Sequence, residues 1–169
     1  MNYKIKVVEL EDIEDFFRVN NKCWQETYKE IIDKAFLKEL SNNLEQNIIK
    51  RKTEYEYDPY RFILYLNNEP VGMTSVDKSR IKEFPNSGEL CAIYLLEKVK
   101  GKGLGKILFE YDVKCLKKMG FNSMVIGCLK DNKRANGFYE HQGGKLAFTR
   151  KIAIGGKEYD ENVYYFEKI

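Results

Sequence analysis

The alternation of apolar and polar residues at the N-terminal end predicts a strand followed by two helices. The strand is "YKIKVVEL", which alternates and is rich in β-branched residues. Residues 11–20 carry apolar side chains along one helical stripe, which predicts the first helix. Spacings of three and four predict a second helix, which extends to Arg51 and has its apolar stripe at Leu37, Leu40, Leu44 and Ile48. Between the two lies an aromatic connection, "NKCWQETYKEII".

The rest of the chain predicts strands mixed with two further helices. "RFILYL" and "PVGMTSVD" are strands joined by a tight turn at Asn67–Asn68, and "GELCAIYLL" is a buried strand. A helix runs from Leu104 to a cap at Gly120, and a short one spans 132–141. Strands "FNSMVIGCL", "KLAFTRKIAI" and "EYDENVYYFEKI" complete the order β-α-α-β-β-β-α-β-α-β-β. Three consecutive strands exclude a purely alternating fold and predict a mixed α+β sheet.

Composition narrows the class of protein. The 169 residues fit one domain, and 43% apolar with 33% charged residues is an ordinary globular balance. A net charge of +3 is too small to indicate nucleic-acid binding. Neither a membrane-spanning run nor the apolar core of a signal peptide is found, so we expect a cytoplasmic protein. Four cysteines without a C-x-x-C pair, and a single histidine, argue against zinc and predict buried, reduced thiols.

The segment "VKGKGLGKILFE" is the clearest candidate for ligand binding. Glycines alternate with lysines immediately before a predicted helix. Free backbone N–H groups and the positive end of the helix dipole at such a place favour an anion, often a phosphate. The spacing fits neither a Walker loop nor a dinucleotide-binding loop. The alternative is a flexible, lysine-rich turn.

Two motifs resemble those of GNAT-type N-acetyltransferases. Lys100-x-x-Gly103-x-Gly105 follows the strand "ELCAIYLLEKV" and is similar to that family's pyrophosphate loop, although lysine replaces the usual arginine or glutamine. "DNKRANGFYEHQGGK" is similar to its later segment N-x-x-A-x-x-[FY]-Y-E-x-x-G. A weaker likeness lies in "CWQETYKEI". The resemblance implies one N-acetyltransferase domain over residues 1–169. It also implies a strongly twisted, mostly antiparallel mixed sheet of about six or seven strands with about four helices, splayed centrally for acetyl-CoA.

The same resemblance implies where acetyl-CoA binds. Its pantetheine arm would pair with the end of the central strand at Ile93, Tyr94 and Leu95, between Asn132 and Phe138. Its pyrophosphate would rest on the backbone of the loop, formed by Lys100, Gly101, Lys102, Gly103, Leu104, Gly105 and Lys106. The resemblance also implies the reaction, which would be direct transfer of an acetyl group to the amine of a small molecule or peptide, with neither a metal nor a covalent enzyme intermediate.

Candidate catalytic residues are Tyr139, as the acid that protonates the leaving thiolate, and Glu89, as the base. For Tyr139 the alternative is a core aromatic whose hydroxyl is bonded elsewhere, and for Glu89 a solvent-facing carboxylate. Trp24 and Tyr28 are four residues apart and share a face if helical, so they line the acceptor pocket or simply pack in the core.

Two rival functions remain open at this stage. One is a coenzyme A-binding regulatory module without turnover, and the other a phosphate- or nucleic-acid-binding protein that uses a lysine-rich helix. The lysines of that helix are more simply a solvated face. The aromatic strand "NVYYFEKI" fits a homodimer interface or an ordinary member of the sheet.

Overall fold

A single seven-stranded sheet forms the body of the protein in the computed structural model, which describes residues 2–169. The order is β1-β2-β3-β4-β5-β7-β6, and only β4 and β5 are parallel. The predicted mixed, mostly antiparallel sheet is therefore confirmed. The strands are β1 (Tyr3–Val7), β2 (Arg61–Leu66), β3 (Glu69–Lys78), β4 (Gly88–Leu95), β5 (Met124–Leu129), β6 (Lys145–Ile154) and β7 (Lys157–Phe166).

Five helices cover the sheet within residues 2–169, which is one more than expected. They are α1 (Ile13–Tyr28), α2 (Lys34–Asn42), α3 (Leu44–Thr53), α4 (Leu104–Lys118) and α5 (Lys133–His141). The predicted single helix up to Arg51 is wrong, because the chain turns at Asn43, whose N–H returns to the Glu39 carbonyl. The aromatic connection is also largely helical, since α1 continues to Tyr28 and buries Cys23 and Tyr28.

The sheet opens between β4 and β5. The two strands pair only at Gly88 with Met124 and at Glu89 with Val125. On the other side of β4 the register with β3 shifts between Ser75 and Val76, which leaves Cys91 as an extra residue. Such a bulge bends its strand and increases the local twist. Beyond Glu89, the edge of β4 that faces β5 is therefore unpaired.

Side-chain alternation decides what each face of this opening presents. Leu90 packs in one cluster with Leu116 of α4, and Asn162 of β7 donates to Asn136 of α5. Helices α4 and α5 thus cover one face. Because neighbouring residues of a strand point to opposite faces, Glu89 and Glu161 point to the other face, which α1 covers in part.

The expectation that all four thiols are buried needs correction. All four cysteines are unpaired, but only Cys23 and Cys128 are buried, whereas Cys91 and Cys115 are half-buried. Strand β7 lies between β5 and β6, so both of its edges are paired and it is an ordinary member of the sheet. Among residues 2–169, the structure has no helix with the length and apolar character needed to cross a membrane.

Candidate active site

A cavity of about 770 Å³ occupies the gap between β4 and β5 and extends along the start of α4 and one side of α5. Its volume suits a small-molecule or cofactor site. It brings together the predicted residues Ile93, Tyr94, Leu95, Lys100, Gly101, Gly103, Gly105, Lys106, Asn132, Phe138, Tyr139 and Tyr28. Four other predicted residues, Lys102, Leu104, Trp24 and Glu89, do not line it. The side chain of Leu104 is fully buried in the core, so only its backbone is available to a ligand.

The glycine loop forms an open cradle at one end of this cavity. Gly101 and Gly103 have φ values of +76° and +83°, a conformation that L side chains rarely adopt. A Cβ built at either position would meet no atom within 4 Å. Gly103 directly precedes α4, so the free N–H groups of the first helical turn lie beside the open space. This arrangement fits the phosphates of a nucleotide-like ligand.

Two cations at the rim of the cavity share one carboxylate. Lys100 Nζ lies 2.8 Å from Glu97, and Arg134 Nη1 lies 2.7 Å from it. Their hydrogen bonds hold the pKa of the Glu97 carboxyl below its ordinary value. Sequence reasoning missed Arg134, although it lies inside the second motif, one residue before Ala135. The shared carboxylate holds both positive groups near the cradle.

Asn132 and Phe138 reach the cavity from α5. The Oδ1 of Asn132 accepts from the Ala135 N–H at 3.2 Å, so it caps the helix. The amide NH₂ of Asn132 takes no part in this cap and is available to a ligand. Phe138 faces the start of α4, where a Cβ built on Gly105 would lie 3.7 Å from its ring.

Tyr139 is a core residue whose hydroxyl the core does not use. The side chain is buried, and its ring lies 5.5 Å from that of Phe138 and 6.0 Å from that of Tyr164. None of the hydrogen bonds found among residues 2–169 involves its hydroxyl, which lines the cavity. Burial raises the pKa of this phenol well above its ordinary value, so it holds its proton at neutral pH.

Tyr28 of α1 and Tyr94 of β4 form one wall of the same cavity. The hydroxyls of Tyr28 and Tyr94 are 3.0 Å apart, and the ring of Trp24 lies 5.0 Å from that of Tyr28. Burial raises the pKa of Tyr28 to about 12. Tyr28 therefore contacts the cavity as a neutral phenol, and Trp24 packs behind it.

A second cavity, of about 330 Å³, lies on the face towards which Glu89 points. Cys91 and Gly127 line both cavities, so the two meet in the gap between the strands. The carboxylate of Glu89 is buried rather than solvent-facing. It accepts from Arg80 Nη2 at 2.7 Å and from the Arg80 backbone N–H at 2.7 Å.

Sequence reasoning also missed three residues of this second cavity, Arg80, Arg150 and Glu161. Arg150 Nε donates to Glu161 Oε2 at 2.6 Å. Glu161 lies against Gly127, and a glycine inside a strand is the one signal that could have indicated a close approach here.

The thiols of Cys91 and Cys128, which line the larger cavity, are poor nucleophiles. Burial raises the pKa of Cys91 to about 12 and that of Cys128 to about 12. The reactive form of cysteine is the thiolate, which is scarce at neutral pH for such groups. The arrangement therefore favours chemistry between two bound substrates without a covalent enzyme intermediate.

The site therefore combines an anion cradle, a buried phenol and two cavities inside a splayed sheet. Residues 13–144 match the model of the acetyltransferase (GNAT) family. The chain belongs to this family and is an enzyme of the N-acetyltransferase class.

Relatives and solved structures agree with this assignment. The chain is 28% identical over 131 residues to YuaI of Bacillus subtilis strain 168, an uncharacterized N-acetyltransferase, with 76% of this chain and 72% of YuaI covered. The fold is similar to that of PaiA N-acetyltransferase from Thermoplasma acidophilum in complex with coenzyme A, with TM-score 0.71, 19% identity and 96% and 98% of the chains covered. It is also similar to yncA of Salmonella typhimurium, a putative acetyltransferase solved with acetyl-CoA, with TM-score 0.66, 16% identity and 100% and 96% covered.

Proposed function

We propose that this protein is an acetyl-CoA-dependent N-acetyltransferase that transfers the acetyl group directly to a primary amine of a small molecule or peptide. One domain spanning residues 1–169 carries out the reaction in the cytoplasm, where its unpaired thiols stay reduced. The observation that carries the proposal is the meeting of the two cavities at Cys91 and Gly127, with the open glycine cradle at the far end of the larger one.

Binding of acetyl-CoA rests on backbone groups. The N–H groups from Lys100 to Lys106 would hold the pyrophosphate, with Lys100 and Arg134 adding charge. The edge of β4 from Ile93 to Leu95 has no partner in β5, so its N–H and C=O groups are free to pair with the amides of the pantetheine arm. The amide of Asn132 and the ring of Phe138 would contact the arm from α5.

The acid in the proposed reaction is Tyr139. Acetyl-CoA supplies an activated thioester, in which the C–S bond breaks as the C–N bond to the amine forms. The Tyr139 hydroxyl would give its proton to the departing sulfur, and the proton lost from the acylated nitrogen would restore the phenol. A backbone N–H near Tyr94 or Leu95 would stabilise the oxyanion.

The base in the proposed reaction is Glu89. An amine that enters the second cavity arrives protonated, because an alkylamine has a pKa of about 10.4. Both oxygens of Glu89 already accept hydrogen bonds from Arg80, so we assign the proton transfer to a water between the amine and the carboxylate. Trp24 and Tyr28 support the acceptor side of the gap.

One experiment tests the proposed function. The protein is mixed with acetyl-CoA and a panel of amines, amino acids, polyamines and peptides, and release of the free thiol is followed. Acetyl-CoA should also raise the melting temperature, because it binds the folded state. A melting shift without thiol release from any amine would instead indicate a coenzyme A-binding regulatory module.

A further inference from the structure

The second cavity contains two arginine–carboxylate pairs, one on each side of the gap. Arg80 and Glu89 belong to the side of β3 and β4, and their closest atoms are 2.7 Å apart. Arg150 and Glu161 are register partners on β6 and β7, and their closest atoms are 2.6 Å apart. The four charges sum to zero, so the cavity is neither an acidic nor a basic patch.

The two signs lie at different depths. The side chains of Glu89 and Glu161 are 9% and 13% exposed, whereas those of Arg80 and Arg150 are 70% and 39% exposed. Carboxylates therefore form the floor and guanidinium groups form the mouth. Ile81 and Ile152 add apolar residues to the lining.

The guanidinium groups have donors to spare. Arg150 uses only its Nε for Glu161, which leaves both Nη groups. Arg80 uses its Nε and Nη2 for Glu89, which leaves Nη1. A guanidinium has five N–H donors in a planar fork, and carboxylate and other oxyanion groups match that fork.

Glu161 lies against Gly127 of β5, which borders the gap. A Cβ built on Gly127 would lie 2.4 Å from Glu161 Oε1, so only glycine admits the carboxylate here. Arg150 donates to Oε2, and Oε1 is the oxygen closest to Gly127, which also lines the larger cavity. An amino group bound to Oε1 would lie at the junction of the two cavities.

We propose that the acceptor is an amine that also carries an oxyanion, as an amino acid does. Its amino group binds Glu161 at the floor of the second cavity, and its carboxylate or equivalent group binds Arg150 and Arg80 at the mouth. This proposal rests on the proposed acetyltransferase function. A diamine of the same length would place its second positive charge against the arginines, and a plain alkylamine would leave them without a partner.

The first test compares acceptors of matched size. These are an amino acid and its amide, and an ω-amino acid, diamine and alkylamine of equal chain length. The kcat/KM of each acid should be at least about tenfold above that of its matched amide, diamine or alkylamine. The reason is that the analogues lack the oxyanion that accepts from the N–H groups of Arg80 and Arg150. Aminoalkyl phosphonates would show whether another oxyanion replaces the carboxylate. A diamine or amide that matches or exceeds the acid would overturn the proposal.

The second test uses substitutions and a binding readout. Arg150→Gln should raise KM for the acid about tenfold more than it raises KM for the alkylamine, since both amines use Glu161 but only the acid contacts the guanidinium. Arg61→Gln is the control, because Arg61 pairs with Asp58 and lines neither cavity. Calorimetry of the acid binding to the protein saturated with coenzyme A should show the same loss for Arg150→Gln and no loss for Arg61→Gln.

The outcomes distinguish a failure of the proposed acceptor class from a failure of the proposed acetyltransferase function. If acids and alkylamines lose equally in Arg150→Gln, Arg150 is a structural residue and the proposed class of acceptor is wrong. If coenzyme A binds but neither turnover nor acceptor binding is found with any amine, the acetyltransferase function fails too. Thiol release that favours diamines or amides overturns the acceptor class alone.

Discussion

The Thr74 hydroxyl lies between the Asp112 carboxyl and the Ala92 carbonyl, and its hydrogen bonds are satisfied when Asp112 is protonated and neutral. The Thr74 hydroxyl lies 2.6 Å from Asp112 Oδ2 and 2.7 Å from the carbonyl oxygen of Ala92. It has one proton, and a backbone carbonyl can only accept, so Thr74 donates to Ala92 and Asp112 donates to Thr74. Asp112 is fully buried, and burial raises its pKa well above the ordinary value. The chain of bonds connects α4 to the bulge of β4.

The protonation of Asp112 makes a prediction about stability and pH. In the unfolded chain the Asp112 carboxyl has a pKa of about 3.9, whereas in the folded protein it keeps its proton to a higher pH. Its contribution to the free energy of unfolding is thus complete below about pH 4 and is lost as pH rises through the raised pKa. Urea unfolding between pH 4 and 8 should show wild type losing stability relative to Asp112→Asn, which keeps a donor to Thr74. A difference that grows in favour of wild type would mean that Asp112 is ionised.

Thr74 can be tested separately from Asp112. Thr74→Val keeps the shape but leaves both the Asp112 hydroxyl and the Ala92 carbonyl without a partner, and should cost about 1–3 kcal/mol of unfolding free energy. Thr74→Ser keeps the hydroxyl and is the control. Equal stability of the valine and serine variants in urea unfolding would contradict the shared-proton arrangement.

Gly105 gives a sharper test of coenzyme binding than the loop glycines. Gly103→Val would strain a residue at φ +83°, whereas Gly105 has ordinary helical geometry and room for a Cβ beside Phe138. Gly105→Leu should fold but occupy the cavity, lowering acetyl-CoA affinity at least about tenfold, as thermal shift or calorimetry would show. Gly137→Ala, in α5 and in open space, should raise stability by about 0.5–1 kcal/mol and leave affinity unchanged. Unchanged affinity in Gly105→Leu would argue against this binding site.

Tyr139→Phe removes only the hydroxyl that the core does not use. Stability and acetyl-CoA affinity should therefore change little, while turnover falls by about 10²–10⁴-fold if thiolate departure limits the rate. An acetyl donor with a more acidic thiol should recover part of the loss, because its thiolate needs the proton less. Normal turnover with acetyl-CoA, once chemistry is shown to be rate-limiting, would reduce Tyr139 to a packing residue.

Glu89→Gln should lower turnover and leave acetyl-CoA binding nearly intact. The fold should survive, because the side chain of its partner Arg80 is 70% exposed and can be solvated. The defect should shrink at high pH, where more of the amine is already neutral. The measurement is the pH profile of kcat/KM. A profile of Glu89→Gln that coincides with that of wild type would show that Glu89 is not the base.

Cys91→Ala should retain activity within about threefold, because the thiol is not the nucleophile. Initial rates should fit a sequential mechanism, and mass spectrometry after incubation with acetyl-CoA alone should find no acetylated enzyme. Ping-pong kinetics, together with an acetyl group on Cys91, would instead establish a covalent intermediate.

The sequence by itself determined most elements and most residues that line the larger cavity. Strand alternation, helical spacing and the glycines are local signals. The sequence therefore predicted the position of Gly103, of the helix that follows it and of the helical segment that contains Tyr139. The motif with Asn132 and Tyr139 led to the family, because its residues are close together in the chain.

Only the tertiary structure decided the second cavity. Gly127 and Glu161 are far apart in the chain, and their contact depends on the register between β5 and β7. Arg80 meets Glu89 because β3 and β4 are antiparallel neighbours, which no local pattern specifies. The break at Asn43 and the place of β7 inside the sheet follow from packing in the same way. Hydrophobic periodicity shows which face of an element is buried, but it carries no information about which distant residue that face will meet.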